Sequence, residues 1–487
     1  MTISNLSADS PPHPPKVGLP TMFRLGLFQM GLGIMSLLTL GVLNRITIDE
    51  LKVLPFIAAG AIAMHQFVSP ARVWFGQMSD SKTIFGYHRS GYVWIGAALF
   101  TTISFIALQV VWQLGISVQN NGWTAPTYWW SAALALVFAC YGLALSASST
   151  PFAALLVDVS DEDNRSKIVG VVWSMLMVGI VVGAIISSRL LERQEVCGAN
   201  ILTYNPALNN SVADIAKLQA SINPLFILMP AIVFGLCVLS TWGIEKKYSR
   251  YQLRSTAVER EDKITLGRAL KVLTANRQTG VFFSFLLVLT ISIFMQDAVM
   301  EPYGGEVFGL CISETTKLNV PFGMGTLVGI SSTGFLILPR LGKQQTTKLG
   351  CLAAVICFGL IILAGLTVNA NLLKGALLLF GLSVGVITAG ATSLMLDLTV
   401  AETAGTFIGA WGLSQAMAKG LGTVLGGTVL NAGKLLFSSP VLAYSSVFAI
   451  QAVGMMVAIV LLQKVDIQEF RSNAQQAIAV VMEGELE

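Results

Sequence analysis

The sequence predicts an all-α polytopic membrane protein of twelve transmembrane helices, arranged as two pseudo-symmetric six-helix bundles. Three observations predict it: a scarcity of charge, a series of long apolar stretches, and an internal repeat on either side of a charged linker. Of 487 residues, 54% are apolar and 11% are charged, against about 25% charged in ordinary soluble domains. A chain this poor in charge cannot cover a globular surface with polar groups, so lipid is the expected solvent. A spanning helix needs roughly 20 mostly apolar residues. Twelve stretches qualify: 22–43, 52–75, 91–114, 129–157, 168–190, 224–242, 279–300, 319–338, 349–368, 372–396, 406–430 and 441–463.

The segment 245–277 is the long mixed-charge stretch between apolar segments, and it divides the spans six and six. We therefore expect an N-terminal bundle over 21–244, a cytosolic linker over 245–277, a C-terminal bundle over 278–464 and a cytosolic tail over 465–487. The repeat supports the division. LLVD at 155–158 ends the fourth span and LMLD at 394–397 ends the tenth, placing Asp158 and Asp397 in equivalent positions. Carrying that 239-residue offset forward aligns Gly170 with Gly409 and Gly183 with Gly422. Two such halves are the signature of the major facilitator architecture, whose site lies near the midplane between them. Small-residue pairs (Gly179 and Gly183, Gly405 and Gly409, Gly422 and Gly426) are expected to let helix backbones approach closely in lipid.

Residues 1–20 are polar and rich in proline, with no signal-peptide pattern, and read as a disordered cytosolic arm. With that arm inside, cytosolic segments hold 21 Lys and Arg, nine of them from Lys246 to Arg277, against eight outside. This asymmetry puts both termini in the cytosol. A net charge of +4 gives no argument for nucleic acid. Cys140, Cys237, Cys351 and Cys357 fall within spans, while Cys197 and Cys311 fall in outer loops. Loops of this length wander, so those last two thiols are expected to stay unbridged. No cysteine or histidine spacing resembles a metal site, and no metal cofactor is expected. Without a Gly-x4-Gly-Lys-Ser/Thr loop, ATP-driven pumping within the chain is unsupported; Gly427 to Lys434 has the wrong spacing. No nucleophile–base constellation is present, so no enzyme is expected.

Ionisable residues in lipid are expensive and are functional candidates by default. They are His65 and Gln66 in the second span, Gln296, Asp297 and Glu301 in the seventh, and Lys419 in the eleventh; Asn44 and Arg45 close the outer end of the first. Asp297 and Glu301 stand four apart, hence on one helical face. They could share a proton, bind a cation or pair with Arg45 between the bundles. His65 could be a satisfied core residue, a proton relay or a metal ligand. The turn after the second span carries Arg72, Gly76 and Asp80, then Gly86, His88 and Arg89. It resembles the signature loop of the major facilitator superfamily, a latch rather than a substrate site.

Three strings together resemble one branch of that superfamily: GLGIMSLLTLGVLNR at 31–45, MHQFVSPARVWFGQMSD at 64–80 and MQDAVMEPYGGEVF at 295–308. They resemble the PucC, or bacteriochlorophyll delivery, family over about 19–463. The resemblance implies a role in assembling light-harvesting or photosystem complexes in cytoplasmic or photosynthetic membranes, with (bacterio)chlorophyll as bound cargo handed to antenna polypeptides. A chlorin needs an apolar cleft, a ligand for magnesium and donors for its carbonyls. His65, Gln29, Gln66 and Gln296 are the candidate suppliers, with Asp297 or Glu301 as oxygen ligands. A proton-coupled small-molecule transporter using Asp297, Glu301 or Lys419, and a ligand-free assembly scaffold, remain alternatives.

Overall fold

The protein is described from a computed structural model over residues 17–160, 162–192, 212–249, 277–397 and 404–465. The helices are α1 (Leu19–Ser36), α2 (Pro55–Phe67), α3 (Ala71–Ser81), α4 (Ser90–Asn121), α5 (Ala125–Val159), α6 (Glu162–Glu192), α7 (Val212–Thr241) and α8 (Ile244–Tyr248). They continue as α9 (Arg277–Phe294), α10 (Met300–Phe308), α11 (Ile312–Lys317), α12 (Asn319–Ser332), α13 (Lys343–Leu366), α14 (Ala370–Asp397), α15 (Ala404–Leu436) and α16 (Pro440–Gln463). Each of the twelve expected stretches is helical. Among the described residues, nine helices are long and apolar enough to cross a membrane by length and composition. The stretches around α2, α12 and α15 fall outside those nine. Pro70 separates α2 from α3, α12 gives way to a π-helical turn at Thr333–Ile337, and α15 carries Lys419. Large apolar side chains such as Leu136, Ile227 and Ile356 point out of the helices and away from the core, where lipid is their fitting solvent.

Packing obeys a two-fold swap. Within the first half α1 packs on α6 and α7, α2 on α5, and α4 on α5 and α7. Within the second, α9 packs on α15 and α16, α12 on α14, and α13 on α14 and α16. Exchanging α1 for α9, α2 for α12, α4 for α13, α5 for α14, α6 for α15 and α7 for α16 maps one list onto the other. It also maps the main inter-half contacts, α2 on α15 and α6 on α12, onto each other. Each half has its own apolar core, one built around Phe28, Phe100 and Trp112, the other around Phe285, Phe358 and Phe380.

Glycines of α6 and α15 let these helices approach α1 and α9 closely. An added Cβ on Gly179 would lie 2.1 Å from the Met30 carbonyl oxygen, and Gly183 faces Ile34. Gly422 and Gly426 make the same two steps along Ile291 and Met295, with Gly426 at 2.1 Å from the Met295 carbonyl oxygen. Gly179 and Gly426 thus make matching close approaches to a carbonyl in the two halves, while the surroundings of Gly405 and Gly409 lie outside the described residues.

Two expectations are corrected. The first helix does not end near residue 43. It continues through π-helical turns to Glu50, so Asn44 and Arg45 lie inside it, 1% and 4% exposed. A buried guanidinium is tolerable there because Asp49, one turn on, supplies its counter-charge 2.9 Å away. Cys311, expected to be a free thiol, is disulfide-bonded, whereas Cys140, Cys237, Cys351 and Cys357 are free. Cys197 lies outside the described residues, as do the proline-rich arm through residue 16, most of the linker and the tail beyond 465.

Candidate functional site

The 295–308 string forms the site's frame because its helix is interrupted there. Pro302 has no N–H to give the carbonyl four residues back, that of Ala298. Accordingly α9 stops at Phe294, Met295–Ala298 forms a 3-10 turn, and helix resumes at Met300. The freed Ala298 carbonyl accepts from Asn44 Nδ2 at 2.8 Å, a bond between the two halves. Broken helices of this kind place backbone polar groups at the midplane of transporter folds.

The break also separates the two carboxylates expected on one face. Asp297 sits 3.9 Å from Lys419 Nζ, which lies over the Phe294 ring. Glu301, 5% exposed, accepts from Asn319 Nδ2 at 2.7 Å. Neither carboxylate is the ion-pair partner of Arg45, and the expected Arg45–Glu301 pair is replaced by a contact to backbone: Arg45 donates to the carbonyls of Glu301 (3.4 Å) and Leu310 (3.0 Å). Its charge is met on its own helix, by Asp49 at 2.9 Å and Glu50 at 3.3 Å. Gly305 makes the approach possible, since an added Cβ would fall 2.1 Å from Asp49 Oδ2 and 2.2 Å from Arg45 Cζ. Lys52 then links Asp49 (3.3 Å) to Glu306 (4.0 Å), and Glu306 also holds Lys434 (2.6 Å) and the Tyr444 hydroxyl (3.1 Å). Lys317 and Glu192 pair between the halves as well. The Arg45 end of the bundle is thus closed by charge and backbone contacts that cross between halves.

At the opposite end Arg89 is the organiser. It is 4% exposed, donates to Asp158 (2.9 Å) and Ser79 Oγ (2.6 Å), and pairs with Asp80 at 2.6 Å. These partners tie together the ends of α3, α4 and α5. Gly86, with φ +76°, turns the intervening loop, in which Ile84 and Tyr87 form an isolated antiparallel bridge. Glu245 of α8 completes the latch. Its carboxylate accepts from the backbone N–H groups of His88 (2.7 Å), Arg89 (3.1 Å) and Ser90 (2.6 Å), capping the start of α4. The helix dipole and unpaired first-turn donors favour an anion there. Arg72 lies at the protein's surface and Gly76 packs on Thr150. These partners of the loop lie within the first half, and Asp80, His88 and Arg89 make further interactions besides these. Asp397 is the last residue of α14, and its side chain lies outside the described residues.

His65 does not stand ready as a ligand. Its Nδ1 donates to the Ile62 carbonyl at 2.5 Å, which leaves Nε2 to accept from Gln66 Nε2 at 2.7 Å. Gln66 folds back along the helix to make this bond. Tyr141 stands edge-on and Phe138 tilted beside the imidazole, and Gly142 of α5 meets the His65 backbone. His65 is a satisfied packing residue in this geometry. Gln29 is buried in α1, and Gln296 is buried with its Oε1 unpartnered. Gly420, beside Lys419, packs on Gln66 Cβ (3.2 Å) and Phe67, so Lys419 and Asp297 sit near the His65–Gln66 segment across the α2–α15 contact.

Sequence reasoning missed Asp49, Glu245, Asn319, Lys434 and Tyr444. The i,i+4 spacing of Arg45 and Asp49 signals the first of these. The others come from remote parts of the chain and carry no local signal.

Solved structures share this arrangement of helices. The nucleoside transporter NupG aligns with TM-score 0.60 at 13% identity, over 92% of this chain and 99% of that one. A bacterial homologue of the human lysosomal transporter Spinster, inward-facing and unoccupied, aligns with TM-score 0.62 at 12% identity, over 93% and 96%. These similarities show a major facilitator fold. Among proteins of Rhodobacter capsulatus, one named Protein PucC is 28% identical over 475 residues, 94% of this chain and 96% of that protein. Another, named Bacteriochlorophyll synthase 44.5 kDa chain, is 29% identical over 454 residues, 91% and 94%. The family model described as PUCC protein matches residues 42–470, and on that match this chain belongs to the PucC family.

Proposed function

We propose that this chain assists assembly of light-harvesting or photosystem complexes in a phototroph's cytoplasmic or photosynthetic membrane, with both termini cytosolic. In this reading it binds (bacterio)chlorophyll and delivers it to antenna polypeptides, without catalysing a reaction on it. The observation that carries the reading is the family match across 42–470, which spans both halves and includes the broken helix. The residues suit a chlorin as cargo in one respect above others. Gln296 Oε1 is a buried oxygen with no hydrogen-bond partner, the type of hard donor that magnesium takes. His65, both nitrogens engaged, suits that role less.

The test is an absorption spectrum of the full-length protein purified gently from a phototrophic host. A chlorin band in the wild type that is lost or shifted in Gln296→Leu is expected. Pigment-free wild-type protein that still captures antenna subunits would replace the reading with a ligand-free scaffold. The Lys419–Asp297 pair beside the α2–α15 contact favours one second reading, a proton-coupled transporter of small molecules. Solute uptake by proteoliposomes, abolished in Asp297→Asn, would favour that reading over pigment delivery.

A further inference from the structure

Glu301 is a buried carboxylate that the surrounding charges leave unmatched. Its Oε1 accepts from Asn319, and its Oε2 has no hydrogen-bond partner. The first helix presses on it, for an added Cβ on Gly41 would lie 2.2 Å from Oε1. The charged group facing it from that helix is Arg45, which reaches only its backbone carbonyl. Around Arg45 the charges already balance: Arg45, Lys52 and Lys434 meet Asp49, Glu50 and Glu306. Lys419 is matched to Asp297. From α12 the facing group is the neutral Asn319.

A second buried acceptor lies close by. Asn44, three residues after Gly41 on the same helix, spends its Nδ2 on Ala298, and its Oδ1 has no partner. Two desolvated oxygens without donors are costly. They become favourable when something positive stands between them. The ligands would come from both halves, at the point where π-helical turns and a 3-10 turn interrupt the regular backbone bonding of the two helices.

We propose that Glu301 and Asn44 form a binding site for one neutralising cation, a proton or a monovalent metal ion, which holds the two halves together at the Arg45 end. A proton on Oε2 would turn that acceptor into a donor. A metal ion would take Oε2, Asn44 Oδ1 and carbonyls of the interrupted turns, as at other broken-helix sites. The inference does not depend on the cargo, so its failure leaves the pigment reading untouched, and the reverse also holds.

The experiment follows thermal unfolding of the full chain in detergent by tryptophan fluorescence, in two series. One varies pH from 6 to 9 in choline chloride. The other replaces choline by sodium, lithium or potassium at pH 9. If the ion is a proton, folding takes it up, so wild-type melting temperature falls as pH rises and is indifferent to the metal. If it is a metal ion, the melting temperature rises by a few degrees with one cation of the series. Glu301→Gln, whose amide replaces the cation by a donor, is expected to be flat in the series to which the wild type responds. A wild type flat in both series, or a Glu301→Gln variant that keeps the full wild-type response, overturns the proposal. Should that variant not fold, labelling of the wild type by dicyclohexylcarbodiimide decides instead. Modification mapped to Glu301 and suppressed by high pH or by the effective metal supports the site, and no modification at Glu301 under any condition overturns it.

Discussion

Glu245→Ala removes a single side chain and strips three backbone donors at the start of α4 of their acceptor. The magnitude follows from the contacts: His88 N–H at 2.7 Å, Arg89 N–H at 3.1 Å and Ser90 N–H at 2.6 Å, all to one carboxylate. Loss of an ordinary N-cap costs about 0.5–2 kcal/mol, and loss of a negative charge at a helix N-terminus about 0.3–1 kcal/mol. Together they predict about 2–3 kcal/mol, near the top of that combined range because two of the bonds are short and charge-assisted. Water can reach the half-buried site and re-satisfy part of it, which keeps the cost below that of a sealed orphan. Glu245→Gln retains an acceptor but no charge and should lose about half as much. The protein carries its own reporters, since Cys237, Cys351 and Cys357 are free thiols at 0%, 0% and 3% exposure. With the exposed free thiol of Cys140 blocked beforehand, a thiol-reactive dye that fluoresces on reaction therefore reads global unfolding on heating. Glu245→Ala should melt several degrees below the wild type, at roughly 2–4 °C per kcal/mol, with Glu245→Gln between them. A Glu245→Ala melting curve superimposable on the wild type would refute the reasoning and mean that solvent caps α4 equally well.

Gly305→Ala should destabilise by at least about 1–3 kcal/mol in the same assay, because its Cβ would need the space of Asp49 Oδ2 and Arg45 Cζ; a neutral outcome would show that the Arg45 contact is slack. Arg45→Gln leaves Asp49 buried with only Lys52 as counter-charge, so a loss of about 3 kcal/mol is expected. A double-mutant cycle with Glu301→Gln should be near additive, since Arg45 touches the Glu301 carbonyl and not its carboxylate; rescue by the second mutation would re-establish the direct ion pair. His65→Ala should leave any bound pigment's spectrum unchanged, both ring nitrogens being satisfied within α2. A lost or blue-shifted band in that variant would show that the imidazole leaves these bonds to serve the metal.

The sequence alone determined that the chain lies in lipid, where the helices run and that the halves repeat, because these depend on apolar length and on a charge-rich linker, both local and additive along the chain. It also marked the 295–308 string and the Asp80–Arg89 loop as special, since proline, glycine and carboxylates within a few residues constrain the backbone whatever surrounds them. Partnership was another matter. That Pro302 frees a carbonyl follows from residue type; that Asn44, 254 positions earlier, fills it depends on how the two halves meet. By sequence Asp297 and Glu301 could share a proton, bind a cation or pair with Arg45, yet Asp49 on Arg45's own helix takes the charge. His65 could be a ligand or a core residue by composition, and only the positions of Ile62 and Gln66 decided it. Glu245 belonged by composition to a linker and became a helix cap because α8 returns beneath α4. Burial raises the cost of every unmatched polar atom, so the choice among possible partners is made by three-dimensional distance, and sequence separation carries no information about that.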